Sequence, residues 1–581
     1  MIDVRQMARG FGLSLLVGFS GFVSGLSGVA WAQPYPPDGP NIPTITLNEG
    51  NEGAAGLPPL KVPDPKGFDQ ESIWNMQVVG FNDNQGRPSS DDGWIENQNG
   101  RYIAYITDNG SNGQRLNPLT GKNEKDGTSL IDATDPAHPT FVAHIPSQNG
   151  SATHLAVCGG STLPNAAANG LTGHFYLLRH DGSKDWEIWD TTDPSKPVPV
   201  GAPFLTGGDA THHAWWECDT GIAYMVFQKK GDGWNTNQHV YIYDLSNPGS
   251  PKFIRQWGLP GQQPTADVAT QKSCYNAPSS TCYEGVTNPP TGTHEMYSAG
   301  ITKNRVYFGY GSSSNGIDQI VDREKLVTGC DTSFNPAASA NCATSPTQAD
   351  LLYPQISYIT LNPLDGGHTF IPIFGVPIPQ EQTNFLTGAP VSLDLAINLS
   401  EQTANDCAPQ KWKNPAIIDI SNELAPWPIS TATVGQFPGD FCAKGARFGT
   451  HEMPRRIYAP YYGKLLIVSF FNAGLQVFDI RDPYNPRRVA YFIQAPNSNT
   501  QTSCGTFQGN TSYCRNATFS DLGELDDRGY VYNMDRAGSG LTILKLTGDA
   551  LAAVTGVTCP GNSQGHGNGG GQGCPGNSGG H

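Results

Sequence analysis

One short pattern recurs along the chain and leaves the fold little freedom: an apolar β-type stretch ends in Asp, and after two residues an Asp-Pro or Asn-Pro turn leads to a further proline. Leu130-Ile131-Asp132-Ala133-Thr134-Asp135-Pro136-Ala137-His138-Pro139 is the first copy, and Ile188-Trp189-Asp190-Thr191-Thr192-Asp193-Pro194-Ser195-Lys196-Pro197 the second. The pattern returns as Ile242-Tyr243-Asp244-Leu245-Ser246-Asn247-Pro248 and as Val477-Phe478-Asp479-Ile480-Arg481-Asp482-Pro483. Weaker copies stand at Tyr358-Ile359-Thr360-Leu361-Asn362-Pro363 and Ile417-Ile418-Asp419-Ile420-Ser421-Asn422, with a degenerate last one at Thr542-Ile543-Leu544-Lys545-Leu546. Asp caps the turn, and Pro fixes φ while giving up a donor that an edge strand can spare. These carboxylates therefore read as structural.

Each copy has similar neighbours. Aromatic-rich stretches precede it, as in Tyr102-Ile103-Ala104-Tyr105, Phe175-Tyr176-Leu177-Leu178 and Tyr530-Val531-Tyr532, and an outer stretch such as Arg488-Val489-Ala490-Tyr491-Phe492 follows. Seven copies imply an all-β, seven-bladed β-propeller of four-stranded antiparallel blades over residues 73–550. Met76-Gln77-Val78-Val79-Gly80-Phe81 reads as an orphan outer strand that closes the ring against the last copy, hiding a pair of edges. The 69 glycines and 46 prolines fit many short strands and turns.

Outside the ring, residues 1–32 read as a signal peptide: Arg5 and Arg9, an apolar run, then Ala30-Trp31-Ala32. A retained membrane anchor is the weaker reading, because Gly and Ser interrupt the run, and no span is expected after cleavage. A periplasmic or secreted protein follows. Residues 33–72 form a Pro-rich extension and residues 551–581 a Gly-rich tail expected to be disordered. The net charge of −16 excludes nucleic acid as a partner. An oxidising compartment would let the twelve cysteines close by proximity: Cys158 with Cys218, Cys274 with Cys282, Cys330 with Cys342, Cys407 with Cys442, Cys504 with Cys514, and Cys559 with Cys574.

The strand, Asp, Asp-Pro and Pro pattern resembles that of the LVIVD-repeat proteins across about residues 75–546. The resemblance implies a propeller, often exported, and no single activity.

Chemistry is sought in a recurring dipeptide. Thr153-His154, Thr211-His212, Thr293-His294 and Thr450-His451 each precede the second strand of a blade, where the innermost strand belongs. Innermost strands line a propeller's channel, so His154, His212, His294 and His451 are expected to converge as metal ligands. Imidazoles suit a transition metal ion, with Fe and Cu ahead of Zn, and do not suit Ca or Mg. Glu295 and Glu452 are expected behind the ligands, each orienting the His of a neighbouring blade because adjacent residues face opposite ways. His213 replaces His212 if the other of the two faces inward. The first and last blades carry Asp91-Asp92-Gly93 and Thr518-Phe519-Ser520-Asp521 at this place, and the start of the fifth blade lies within residues 375–414. A polar channel without metal is the plain alternative.

Such a centre is similar in architecture to carotenoid cleavage oxygenases and to selenium-binding and methanethiol-oxidase propellers, and to these in architecture alone. The expectation is an exported metalloprotein, an oxidase or oxygenase acting on a small organic substrate. Two alternatives stand beside it: a non-catalytic scaffold binding a protein or polysaccharide partner, and a Zn-dependent hydrolase. Trp94, Trp215, Trp216 and Tyr297 read as blade core first and as a substrate wall second.

Overall fold

Aromatic and β-branched residues on both faces of a short strand bury it on both sides. In the computed structural model, which describes residues 71–109, 113–266, 292–312, 316–361, 365–378, 388, 391–403, 413–434, 441–507 and 511–555, such strands form seven four-stranded antiparallel sheets. Alternation assigns each face to a different interface. Ile103 and Tyr105 of Arg101–Asp108 pack toward the second blade, while Ala104 and Ile106 pack toward the seventh. Seven buried hydrophobic clusters fill the spaces between successive blades, the one between the seventh and first included. The molecule is a seven-bladed β-propeller.

The recurrent turn is a pair of nested Asx turns. Asp132, Asp190, Asp244, Asp419 and Asp479 each accept the backbone N–H two residues on, at 2.8–3.1 Å. Asp135, Asp193, Asn247, Asn422 and Asp482 repeat the bond at the following corner. Each side chain thus supplies the acceptor that the reversing backbone lacks.

The ring closes through the N-terminal strand, with Met76–Asn82 pairing antiparallel with Gly540–Leu546. A bulge at Val78/Gly80 brings Gly80 against the first repeat's turn, where a Cβ would lie 2.0 Å from the Pro136 carbonyl oxygen. Only glycine fits there. The strand Ser72–Trp74 also adds an outer strand to the sixth blade, beside Arg487–Ile493.

Three expectations need correction. Tyr358 to Pro363 is no repeat copy, because Gln355–Thr360 is the outer strand of the fourth blade. The true copy ends in Ile320-Val321-Asp322, and an insertion carrying the helices Arg323–Thr328 and Gln348–Leu352 replaces its Asp-Pro turn. The innermost strand of the fifth blade is Thr369–Pro377, which begins before residue 375. The helix Gly548–Thr555 carries ordered chain five residues into the segment read as tail, burying Ala550 and Ala553 against the sixth and seventh blades.

Disulfides join Cys158 to Cys218, Cys330 to Cys342 and Cys504 to Cys514. The first links the innermost strand of the second blade, Leu155–Gly159, to the turn after the innermost strand of the third, Ala210–Trp216. The other two staple an insertion and the hairpin Thr502–Phe507/Thr511–Asn516. The expected pairs Cys274–Cys282, Cys407–Cys442 and Cys559–Cys574, the segment read as a signal peptide, and the chain after Thr555 lie outside the described residues.

Candidate metal centre

Innermost strands begin irregularly, and that irregularity aims the side chains. Register shifts between Ser89 and Gly93, Thr211 and Ala214, Thr293 and Glu295, and Ser520 and Leu522 break the ladder in four blades. A bulge lets consecutive residues turn to one side. Asp91, Asp92, His212, His213, His294 and Asp521 occupy these bulges. In the sixth blade, residues 450 to 453 lie inside Leu465–Ser469, held by His451 N–H to the Ser469 carbonyl at 3.0 Å and Ser469 N–H to the Glu452 carbonyl at 2.9 Å.

The seven blades together supply one ring of side chains on the axis. Ring centroids lie 4.3 Å apart for His154 and His212, 4.6 Å for His212 and His294, 5.4 Å for His294 and His368, and 5.2 Å for His368 and His451. His451 Nδ1 is 3.2 Å from Asp521, and Arg536 donates to both Asp521 and Asp91 at 2.9 and 2.5 Å. Asp91 completes the circle 3.5 Å from His154 Nε2. The four expected histidines do meet, with His368 among them. Because of the bulge, both His212 and His213 reach the channel, so neither replaces the other.

Second-layer bonds fix the tautomers. His212 Nδ1–H donates to the His294 carbonyl at 3.0 Å, and His451 Nδ1–H to the Asp521 carbonyl at 2.8 Å. His180 Nδ1–H donates to the Gly182 carbonyl, so its Nε2 accepts, the Thr153 hydroxyl donates to it, and that hydroxyl takes the His154 Nδ1 proton at 2.8 Å. In His154 and His212 Nε2 is left with its lone pair, the arrangement of a metal-binding histidine. Burial holds His154, His212, His294 and His368 below the ordinary imidazole range, hence neutral. His451 differs: burial opposes its charge, but Asp521 and Asp91 push it up to about 10. Phe471 stacks on the His451 ring at 4.8 Å from a backbone with φ of 39°, a strained position for an aromatic residue.

Beneath the ring lies a second layer. Arg455 donates to Glu295 at 3.1 Å and pairs with Asp92 at 2.8 Å, and it also contacts His213. Glu452 sits 3.0 Å from His213 Nε2 and 3.4 Å from His368 Nδ1, so it faces the histidines of the third and fifth blades. Burial pushes Asp92 up to about 7 and Glu295 and Glu524 up to about 8; burial and then Glu295 raise Glu452 well above the carboxylate range.

These residues suit a metal. Among the described residues His154 Nε2, His294 Nδ1 and His368 Nε2 are buried without a hydrogen-bond partner, as is Glu295 Oε2. Orphaned buried nitrogens are costly unless something coordinates them. Donor atoms of His154, His212 and His213, and likewise of His212, His294 and His368, lie within 4.8 Å of one another. The set Asp91, His451 and Asp521 meets the same limit but already holds the Arg536 cation.

Trp94, Trp215, Trp216 and Tyr297 lie at the other end of the innermost strands. With Phe374, Lys303 and Arg456 they line a cavity of about 750 Å³. Trp94 and Trp216 are also blade core.

No family model and no curated protein matches the chain. Solved propellers are similar to it in fold at most. Hydrazine synthase of Kuenenia stuttgartiensis shares 9% identity over 79% of this chain and 95% of its own, with a TM-score of 0.41. The RRP9 WD40 repeats share 8% over 82% and 100%, at 0.38. A periplasmic gluconolactonase of Pseudomonas aeruginosa shares 9% over 68% and 86%, at 0.31.

His368 escaped the sequence reading because it stands as His-Thr, not Thr-His, and precedes the segment searched. Asp91 and Asp521 were visible at the right places in the pattern, but only the bulges show that they face the axis.

Proposed function

We propose that the chain is an exported metalloprotein whose histidine centre on the propeller axis serves redox chemistry on a small molecule. The observation that carries this reading is the trio His212, His294 and His368: convergent donor atoms, with His212 and His294 half-buried rather than sealed. Neutral imidazoles favour Cu, Fe or Zn over the hard cations. Such an ion, when Cu or Fe, supplies one-electron chemistry and open positions for a small ligand. This chain's own contribution is to hold His212 by its Nδ1 on the His294 carbonyl, to place His368 Nδ1 beside the Thr369 hydroxyl, to stack His451 on Phe471, and to bury the layer below. Export is supported by the closed disulfides, and no helix of the described residues is long and apolar enough to cross a membrane. The likeness of the repeat to LVIVD proteins agrees with export and leaves the reaction open.

The test is elemental analysis by ICP-MS of untagged protein beside a His212→Ala/His294→Ala variant with an unchanged circular dichroism spectrum. Near-stoichiometric Cu or Fe that the variant loses is expected. Zn alone would move the reading to hydrolysis, and protein that stays metal-free after reconstitution would favour a binding scaffold.

A further inference from the structure

An arginine spans both carboxyl groups of the upper ring, whereas one carboxyl group of the layer below has no basic partner among the described residues. Above, Arg536 answers Asp91 and Asp521. Below, Arg455 is bonded to Asp92 and Glu295, while the side chain of the fully buried Glu452 meets, among the described residues, two imidazoles and the Thr369 hydroxyl at 3.4 Å. Among the described residues Glu295 Oε2 has no hydrogen-bond partner, and Glu452 Oε1 and His213 Nε2 have only each other, 3.0 Å apart. No Lys or Arg side chain among the described residues pairs with Glu452, so the cation its buried carboxyl could take is missing from the protein itself. The donor atoms of His213, Glu295, His368 and Glu452 nevertheless all lie within 4.8 Å of one another, and all four residues are buried.

We infer that the axis holds two metal ions: the open histidine centre at His212, His294 and His368, and a closed one at His213, Glu295, His368 and Glu452. The inference rests on the metalloprotein reading above. His368 belongs to both sets, and its Nδ1 faces Glu452, so its ring stands between them. The two donor sets differ in kind. Imidazoles alone suit Cu, while two imidazoles with two carboxylates make a harder site suited to Zn, Fe or Mn. A divalent ion at the lower set would give Glu452 the cationic partner that the described residues do not provide. All four of its ligands are buried, so it would organise the layer under the open centre instead of meeting substrate.

The test counts ions on the full, untagged chain, stripped of metal and titrated with Zn²⁺ by calorimetry, with ICP-MS after dialysis. Two retained equivalents are expected for the wild type, one for Glu452→Gln and one for His212→Ala/His294→Ala. A single wild-type equivalent, kept by Glu452→Gln and lost from the histidine variant, overturns the second ion and leaves the open centre standing. No retained ion overturns both. Should Glu452→Gln not fold, Cu²⁺-loaded wild type decides. Two equivalents with a spin-coupled EPR spectrum of reduced intensity are expected, and one uncoupled Cu²⁺ signal overturns the proposal.

Discussion

Lys444 shows how much polar chemistry this fold buries. Its ammonium is fully enclosed and donates to the Asn472 carbonyl at 2.7 Å and the Thr518 hydroxyl at 3.3 Å, and burial brings its pKa down to about 7 from 10.5. Between those values the unfolded chain binds a proton that the folded one does not, so stability rises with pH through that window and is flat for this group below it. Lys444→Met removes the group. The wild type is expected to gain in Tm on the variant as pH climbs from 7 to 10, with Asp535, the nearby carboxylate raised to about 6, titrating below the window. A Tm difference independent of pH would contradict the assignment. Residues of this kind were invisible in the sequence, since burial alone makes them unusual. The four Thr-His pairs were visible because the repeat placed them in register. His368 was not, since its order is reversed.

Elements were legible where the pattern was whole. The Asp-x-x-Asp-Pro copies marked third strands correctly wherever the Asx turns survive. In the fourth blade a helical insertion removed the turn, and the outer strand was mistaken for the copy. The bulges that open the innermost strands were not legible, because a one-residue irregularity leaves no compositional trace. Gly367 stands beside His368 just before the innermost strand of the fifth blade. A Cβ there would lie 2.4 Å from Asp318 Oδ1 and 2.6 Å from the Ile317 carbonyl oxygen, so Gly367→Ala must shift the start of the fifth blade. Overpacking of this kind costs about 1–3 kcal/mol. The variant is expected to bind metal at least about tenfold more weakly in a chelator competition while every ligand is intact. Unchanged affinity would show that the position of His368 does not matter.

For the whole molecule, closure is the decisive feature. The chain's first described strands complete its last two blades, so the ends of the fold are tied across the full sequence. Deleting residues 72 to 82 removes Met76 from the core and exposes two outer edges. A loss on the order of 5 kcal/mol is expected from the apolar burial of Met76 and its neighbours and the lost ladders. Edge exposure should show as association on size exclusion; a monomer of unchanged Tm would contradict the closure. Seven blades around one axis also bring residues as distant as Asp91 and Asp521 into one ring, which no local reading of the sequence could measure. X-ray absorption at the K edge of the metal in protein as purified tests that ring most directly. The account predicts a first shell dominated by nitrogen, with the outer-shell pattern of several imidazoles that weakens in His212→Ala/His294→Ala. An oxygen-only shell, or no stoichiometric metal to measure, would contradict it.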